Sequence, residues 1–128
     1  MKWQYTDGGR SKYFSGLAGD CVVRAFTIGL EKDYLCVYEK VNLICKEFIK
    51  VTGQQDCSSS VDGVYPWDIK RIGKYFGLKF NRKKGLTKHL KNGNYLVLQG
   101  GHITCVKNGK ILDTHDTSEE EYYGYFKL

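Results

Sequence analysis

The chain has no run of apolar residues long enough to cross a membrane, and its start, Met1-Lys2-Trp3-Gln4-Tyr5-Thr6-Asp7, has no apolar signal region. Both absences lead us to expect a soluble, cytoplasmic protein with no membrane partner. It also has no CxxC pair, so a structural zinc site is not expected, and no metal or cofactor is read from the sequence. Its cysteines are five in number: Cys21, Cys36, Cys45, Cys57 and Cys105. An odd count without a signal region points to reduced thiols rather than a disulfide framework. Proline occurs once, as Pro66. Internal repeats and breaks in composition are lacking too, so we expect one domain over residues 1–128.

Ten tyrosines, six phenylalanines and a 41% hydrophobic content are enough to fill a core. The net charge is +6, much of it in Lys79-Phe80-Asn81-Arg82-Lys83-Lys84, followed by Lys88 and Lys91. A basic stretch over Lys79–Lys91 suits an acidic protein partner, nucleic acid or an acidic substrate segment. A solvated face that keeps the chain soluble is the plainer use, and we prefer it.

Residues 1–19 are polar, aromatic and rich in glycine, and read mostly as loop. A first helix should start near Asp20, a good N-cap residue, with Cys21, Val22, Ala25, Phe26 and Ile28 making it apolar on most faces, up to Gly29. A second should follow Asp33, with Leu35, Val37, Tyr38, Val41, Ile44, Cys45, Phe48 and Ile49 at helical spacing up to Gly53. Small polar residues from 53 to 64 read as a loop. Tyr65-Pro66-Trp67-Asp68 should open a third helix, closed by Gly77. A short strand at Leu78–Phe80 and a helical turn or two at Leu86–Leu90 come next. Then strands are expected at Tyr95–Gln99, His102–Lys107, Lys110–Thr114 and Tyr122–Lys127, with Asn108-Gly109 as a two-residue hairpin turn. Helices first and antiparallel strands after them make an α+β fold.

Within this frame three residues form a chemical set. Cys21, directly after the cap of a buried helix, would sit in its first turn, where unpaired N–H groups and the helix dipole favour a thiolate. Its backbone N–H would face the oxyanion of a tetrahedral intermediate. His102 follows Gly100-Gly101 at the start of a strand, where it can take and return a proton. If Lys107 pairs with Lys110 across the Asn108-Gly109 turn, His102 lies near residue 115, with Asp113 on the same face as its orienting carboxylate. Asp116 is a second candidate for that role. His115 reads as surface decoration and His89 as solvated. Cys36, Cys45 and Cys105 read as small buried hydrophobes, and Cys57 as an exposed bystander. Arg24, one turn beyond Cys21, is costly to bury alone and should pair with Asp20 or Asp7. Trp67 is expected in the core, while Trp3 is left open between core and cleft.

Gly19-Asp20-Cys21 opening a helix, Gly101-His102 opening a strand and Asp113-Thr114 ending the next strand resemble the papain-like cysteine peptidases. With Asp7-Gly8-Gly9-Arg10 and Cys21-Val22-Val23-Arg24-Ala25, they resemble in particular small phage-encoded and bacteriocin-leader-peptidase-like members. The resemblance implies a nucleophile helix packed on an antiparallel sheet that carries the base. It implies Cys21 as nucleophile, His102 as general acid and base, Asp113 as orienter, and a protein or peptide substrate, a host protein if the chain is phage-encoded. One departure stands out. Such peptidases carry a glutamine shortly before the cysteine, whereas positions 14–20 read Phe-Ser-Gly-Leu-Ala-Gly-Asp. Gln4, Ser15 or Asp20 would have to stand near the oxyanion instead.

Two function classes follow. One is a thiol hydrolase of a peptide or isopeptide bond, with deamidation or acyl transfer open to the same apparatus. The other is a binding protein that keeps the fold without the activity and takes an acidic protein or nucleic acid. The sequence leaves the oligomeric state open.

Overall fold

The structure is a computed structural model; it describes residues 1–16, 19–52, 59–60 and 63–128, the side chains of 48–52 excepted. It is α+β. Three helices, α1 (Cys21–Leu30), α2 (Tyr34–Thr52) and α3 (Pro66–Tyr75), accompany a six-stranded mixed sheet. The strands are β1 (Lys2–Tyr5), β2 (Phe80–Leu86), β3 (Asn94–Gln99), β4 (His102–Lys107), β5 (Lys110–Asp113) and β6 (Glu121–Lys127). Their spatial order is β1-β5-β4-β3-β6-β2.

α1 is the central helix. Val22, Val23, Ala25, Phe26 and Thr27 are all buried, which takes up most of its circumference. It packs chiefly on β4, with further contacts to β3, β5 and α2. Gly29 lets it come this close, because a Cβ there would stand 2.5 Å from Leu96 Cδ2. On α2, Tyr34, Val37, Val41 and Cys45 make a buried stripe at spacings of three and four, as the periodicity requires. Phe26 meets Phe126 of β6 at 5.9 Å between ring centroids, joining helix and sheet in one core.

The β4–β5 hairpin follows the expected register. Lys107 pairs with Lys110, Val106 with Ile111 and Cys105 with Leu112. Asn108 and Gly109 both have positive φ, 49° and 75°, the mirror-image turn that matches strand twist. Most of the expected loop 53–64, Cys57 included, lies outside the described residues, as do the side chains of Phe48 and Ile49.

Several expectations need correcting. The described part of residues 1–19 is mostly turn and loop, as expected, but it also holds a strand not expected from the sequence: β1 pairs in parallel with β5, Tyr5 opposite Asp113, so the sheet is mixed rather than antiparallel. Lys2-Trp3-Gln4-Tyr5 alternates polar and aromatic residues, but over only four positions and with all four exposed, and it is held through backbone bonds at a sheet edge. The strand placed at Leu78–Phe80 instead begins at Phe80 and continues through the basic stretch to Leu86. There Arg82, Lys83 and Lys84 are exposed on an edge strand, where charge deters further pairing. Trp67 is not core. It is 51% exposed and stacks on Tyr65, with ring centroids 4.6 Å apart. Cys36 is exposed, on the outer face of α2, while Cys45 and Cys105 are buried. Among the described residues no helix is long and apolar enough to cross a membrane.

Candidate active site

Cys21 is the first residue of α1, directly after Asp20, and is partly buried. The strands bring its partners to it. The β3–β4 turn places Gln99 opposite His102, with Gly100 and Gly101 between them. Gly101 adopts φ 71°, a conformation that favours glycine, and a Cβ at either glycine would meet nothing within 4 Å. The ring of His102 therefore begins β4 beside open space. The hairpin then returns Asp113, at the end of β5, to the same face. His102 Nε2 lies 2.7 Å from Asp113 Oδ2.

The His102 ring also lies near enough to the sulfur of Cys21 for the two to perturb each other's ionisation. With Nε2 held by Asp113, Nδ1 is the ring nitrogen left to serve the thiol. Cysteine, histidine and aspartate thus form one continuous line, each on a different element.

The electrostatics follow the line. Burial pushes the Cys21 thiol up, but the hydrogen bond and charge of His102 outweigh it. The backbone N–H of Ile103 and the nearby Arg24 add to them, and the thiol ends below its ordinary value. Burial pushes His102 down, yet its bonds to Asp113 and Cys21 raise it to about 9. Burial likewise raises Asp113, but its hydrogen bonds, that from His102 foremost, and the charge of His102 together bring it below its ordinary value. Cys21 and His102 thus each shift the other toward its charged form, thiolate beside imidazolium.

Asp20 has a different task from the one its position suggests. Its carboxylate makes no cap bond to the helix N–H groups, although it is the N-cap residue. It is 2% exposed and accepts the Tyr34 hydroxyl at 2.6 Å, Arg24 Nε at 2.9 Å and Arg10 Nη1 at 3.4 Å. Two cations and a hydroxyl draw it inward and compensate its charge. The N–H groups of the first turn of α1, that of Cys21 among them, thus receive no side-chain cap.

Arg24 pairs with Asp20, one of the two partners expected for it, and reaches beyond. Its Nη1 lies 3.1 Å from Asp113 Oδ1 and 2.8 Å from Thr114 Oγ1. The only sequence signal for this is a charge one turn along a buried helix; the partner 89 residues away is set by the sheet. Asp113 is tied down on all sides. Thr114 N–H donates to Oδ1 at 2.6 Å, and Trp3 Nε1 donates to its backbone carbonyl at 3.1 Å. Trp3, undecided from sequence, thus buttresses the strand that carries the carboxylate, and the residue is 45% exposed.

The other candidates stand apart from this line. Gln4 is exposed on β1, and its Oε1 accepts from Lys110 Nζ at 3.3 Å, at the far end of β5 from Asp113. Ser15 is exposed. Asp116 accepts the Ser118 N–H at 2.9 Å, and that bond lowers its pKa. His115, read as decoration, is exposed but lies against the site: its ring centroid is 4.9 Å from that of His102. The hairpin register already placed the two opposite each other. His102, Asp113 and His115 each offer one ligand atom to a common cluster spanning no more than 4.8 Å.

No family model matches the chain, and no curated protein or solved structure matches it either.

Proposed function

We propose that the protein is a thiol hydrolase of the papain-like type, which cleaves a peptide or isopeptide bond through Cys21, His102 and Asp113. The observation that carries this is the line from sulfur to imidazole to carboxylate, with its 2.7 Å contact between His102 Nε2 and Asp113 Oδ2. The lowered thiol and raised imidazole support the same assignment.

The chemistry would run in two halves. The Cys21 thiolate attacks the substrate carbonyl, and the carbonyl π electrons move to oxygen. The Cys21 N–H, in the uncapped first turn of α1, is the donor nearest at hand for that oxyanion. The tetrahedral intermediate collapses, His102 gives its Nδ1 proton to the leaving nitrogen, and an acyl-thioester remains. Water then attacks the thioester, passing a proton back to His102, and the acid leaves. Asp113 keeps the ring oriented through both halves. The carboxamide donor usual in such sites has no counterpart in Gln4, so backbone N–H groups carry the oxyanion here.

Incubating the protein with a mixture of unmodified peptides and analysing the products by mass spectrometry tests the assignment. New peptide termini that are absent with Cys21→Ala support hydrolysis. A gain of about one dalton at glutamine, equally dependent on Cys21, would assign the same residues to deamidation. Unchanged peptides across a broad sequence range would leave the fold as a binding scaffold.

A further inference from the structure

The second nitrogen of His102 does not face the thiol. It faces a small polar cluster at the open end of the β4–β5 hairpin, made with Asp113 and His115. We propose that His102 Nε2, Asp113 Oδ2 and one ring nitrogen of His115 form a site for a divalent transition ion of the Zn²⁺ class.

The donor set suits such an ion. Two imidazoles and one carboxylate with a fourth position open to water is a known zinc arrangement. Bond lengths near 2.0–2.1 Å place the ligand atoms of a tetrahedral site about 3.3 Å apart. The His102 and Asp113 atoms stand at 2.7 Å, and all three lie within 4.8 Å of one another. One pair has to open slightly and His115 has to swing inward by an ångström or so. His115 is exposed, which leaves its ring room to turn, whereas Asp113 is buried and His102 partly so.

The surroundings also resemble a supporting shell for ligands. Asp113 Oδ1 is already taken by Arg24 and the Thr114 N–H, which aims Oδ2 at the cluster. Thr114 Oγ1 lies 3.3 Å from His115 Nδ1, which leaves Nε2 of that ring as the nitrogen to bind. Cys21 is not part of the cluster.

Binding replaces the proton on Nε2 with the ion and releases that proton to solvent. A ring metallated at Nε2 cannot become imidazolium. Loading would thus remove the acid that expels the leaving nitrogen, which makes the metal-bound form an off state. That consequence rests on the proposed function; the metal site itself does not.

The test is titration of the full-length chain with Zn²⁺ by calorimetry under reducing conditions, with Co²⁺ as an optical probe. We expect one ion per chain and a loss of affinity of about tenfold or more in both His115→Ala and His115→Gln. The Co²⁺ spectrum should show d–d bands without a thiolate charge-transfer band, and be the same in Cys21→Ser. Absence of saturable binding, unchanged affinity in both His115 variants, or a thiolate band lost with Cys21 would overturn the site. Zinc binding by a chain that cleaves no peptide would sink the proposed hydrolase and leave the site standing; cleavage without zinc binding would do the reverse.

Discussion

Arg24 Nη1 lies 3.1 Å from Asp113 Oδ1, so the helix that carries the thiol also grips the carboxylate that orients the imidazole. The same guanidinium holds Asp20 through Nε at 2.9 Å. Arg24 and Asp20 sit on or beside α1 and Asp113 on β5. The ion pairs therefore fix the distance between the two halves of the site as well as the charge within it.

Removing that grip should be costly. Arg24→Met leaves two buried carboxylates short of a partner, and breaking a buried pair in this way costs about 3–5 kcal/mol. Arg24→Lys keeps the charge but cannot fork between Asp20, Asp113 and Thr114, and should recover only part of the loss. Urea unfolding curves of the three proteins give the comparison; equal midpoints for Arg24→Met and the unaltered chain would rule out the role assigned here.

Asp113 supplies orientation and charge, and two variants separate them. Asp113→Asn keeps a hydrogen-bonding group near His102 but removes the negative charge that holds the ring at about 9. His102 should then titrate lower and Cys21 higher, so the pH range over which both are ionised narrows from both sides. Asp113→Ala also frees the ring, and misplacement of this kind costs on the order of a hundredfold in turnover. Imidazole titration followed by NMR, beside the rate of Cys21 modification, distinguishes the two.

Linkage makes a further prediction, because the two partners act in opposite directions. His102 is raised, so the native chain holds more protons than the unfolded one above about pH 6.5, and its contribution fades as pH rises through the folded value of about 9. Cys21 is lowered, so its contribution grows with pH up to the unfolded thiol value of about 8.5. The opposed contributions partly cancel, so the urea midpoint of the unaltered chain should change less between about pH 6.5 and 8.5 than the His102 contribution alone would make it. Cys21→Ser removes the contribution that grows with pH and should lose more stability over that range. Parallel curves for the two proteins would contradict the pairing.

The fold offers a test independent of chemistry. A Cβ at Gly73 of α3 would lie 2.2 Å from Phe126 Cε1, and Phe126 is fully buried beneath it. Gly73→Ala gains helix propensity but overpacks this contact, and the clash should win, destabilising by about 1–3 kcal/mol. A thermal midpoint at or above that of the unaltered protein would mean α3 does not pack on β6 as described.

Much of this was legible in the sequence because it rests on local chemistry. The Asp20-Cys21 helix start, the helical stripe of α2 and the Asn108-Gly109 turn depend on residues close together in the chain. The register from that turn was enough to bring Asp113 to the face of His102 before any coordinates. It also brought His115 there, but an exposed histidine near a strand end gave no reason to look further. What stayed hidden depends on long-range closure. β1 is a four-residue parallel edge strand, too short for its alternation to stand out, and Trp3 finds the Asp113 carbonyl 110 residues away. The departure of Asp20 from its capping role is set by Arg10 and Tyr34, whose convergence no spacing rule shows.

The most direct measurement is the pH dependence of Cys21 alkylation by iodoacetamide, read residue by residue by mass spectrometry, with the exposed Cys36 as internal reference. The account predicts that Cys21 is modified faster than Cys36 near pH 6, and that His102→Ala removes this advantage. If Cys21 reacts no faster than Cys36 at that pH, and His102→Ala changes nothing, the imidazole does not ionise the thiol and the proposed chemistry has no nucleophile.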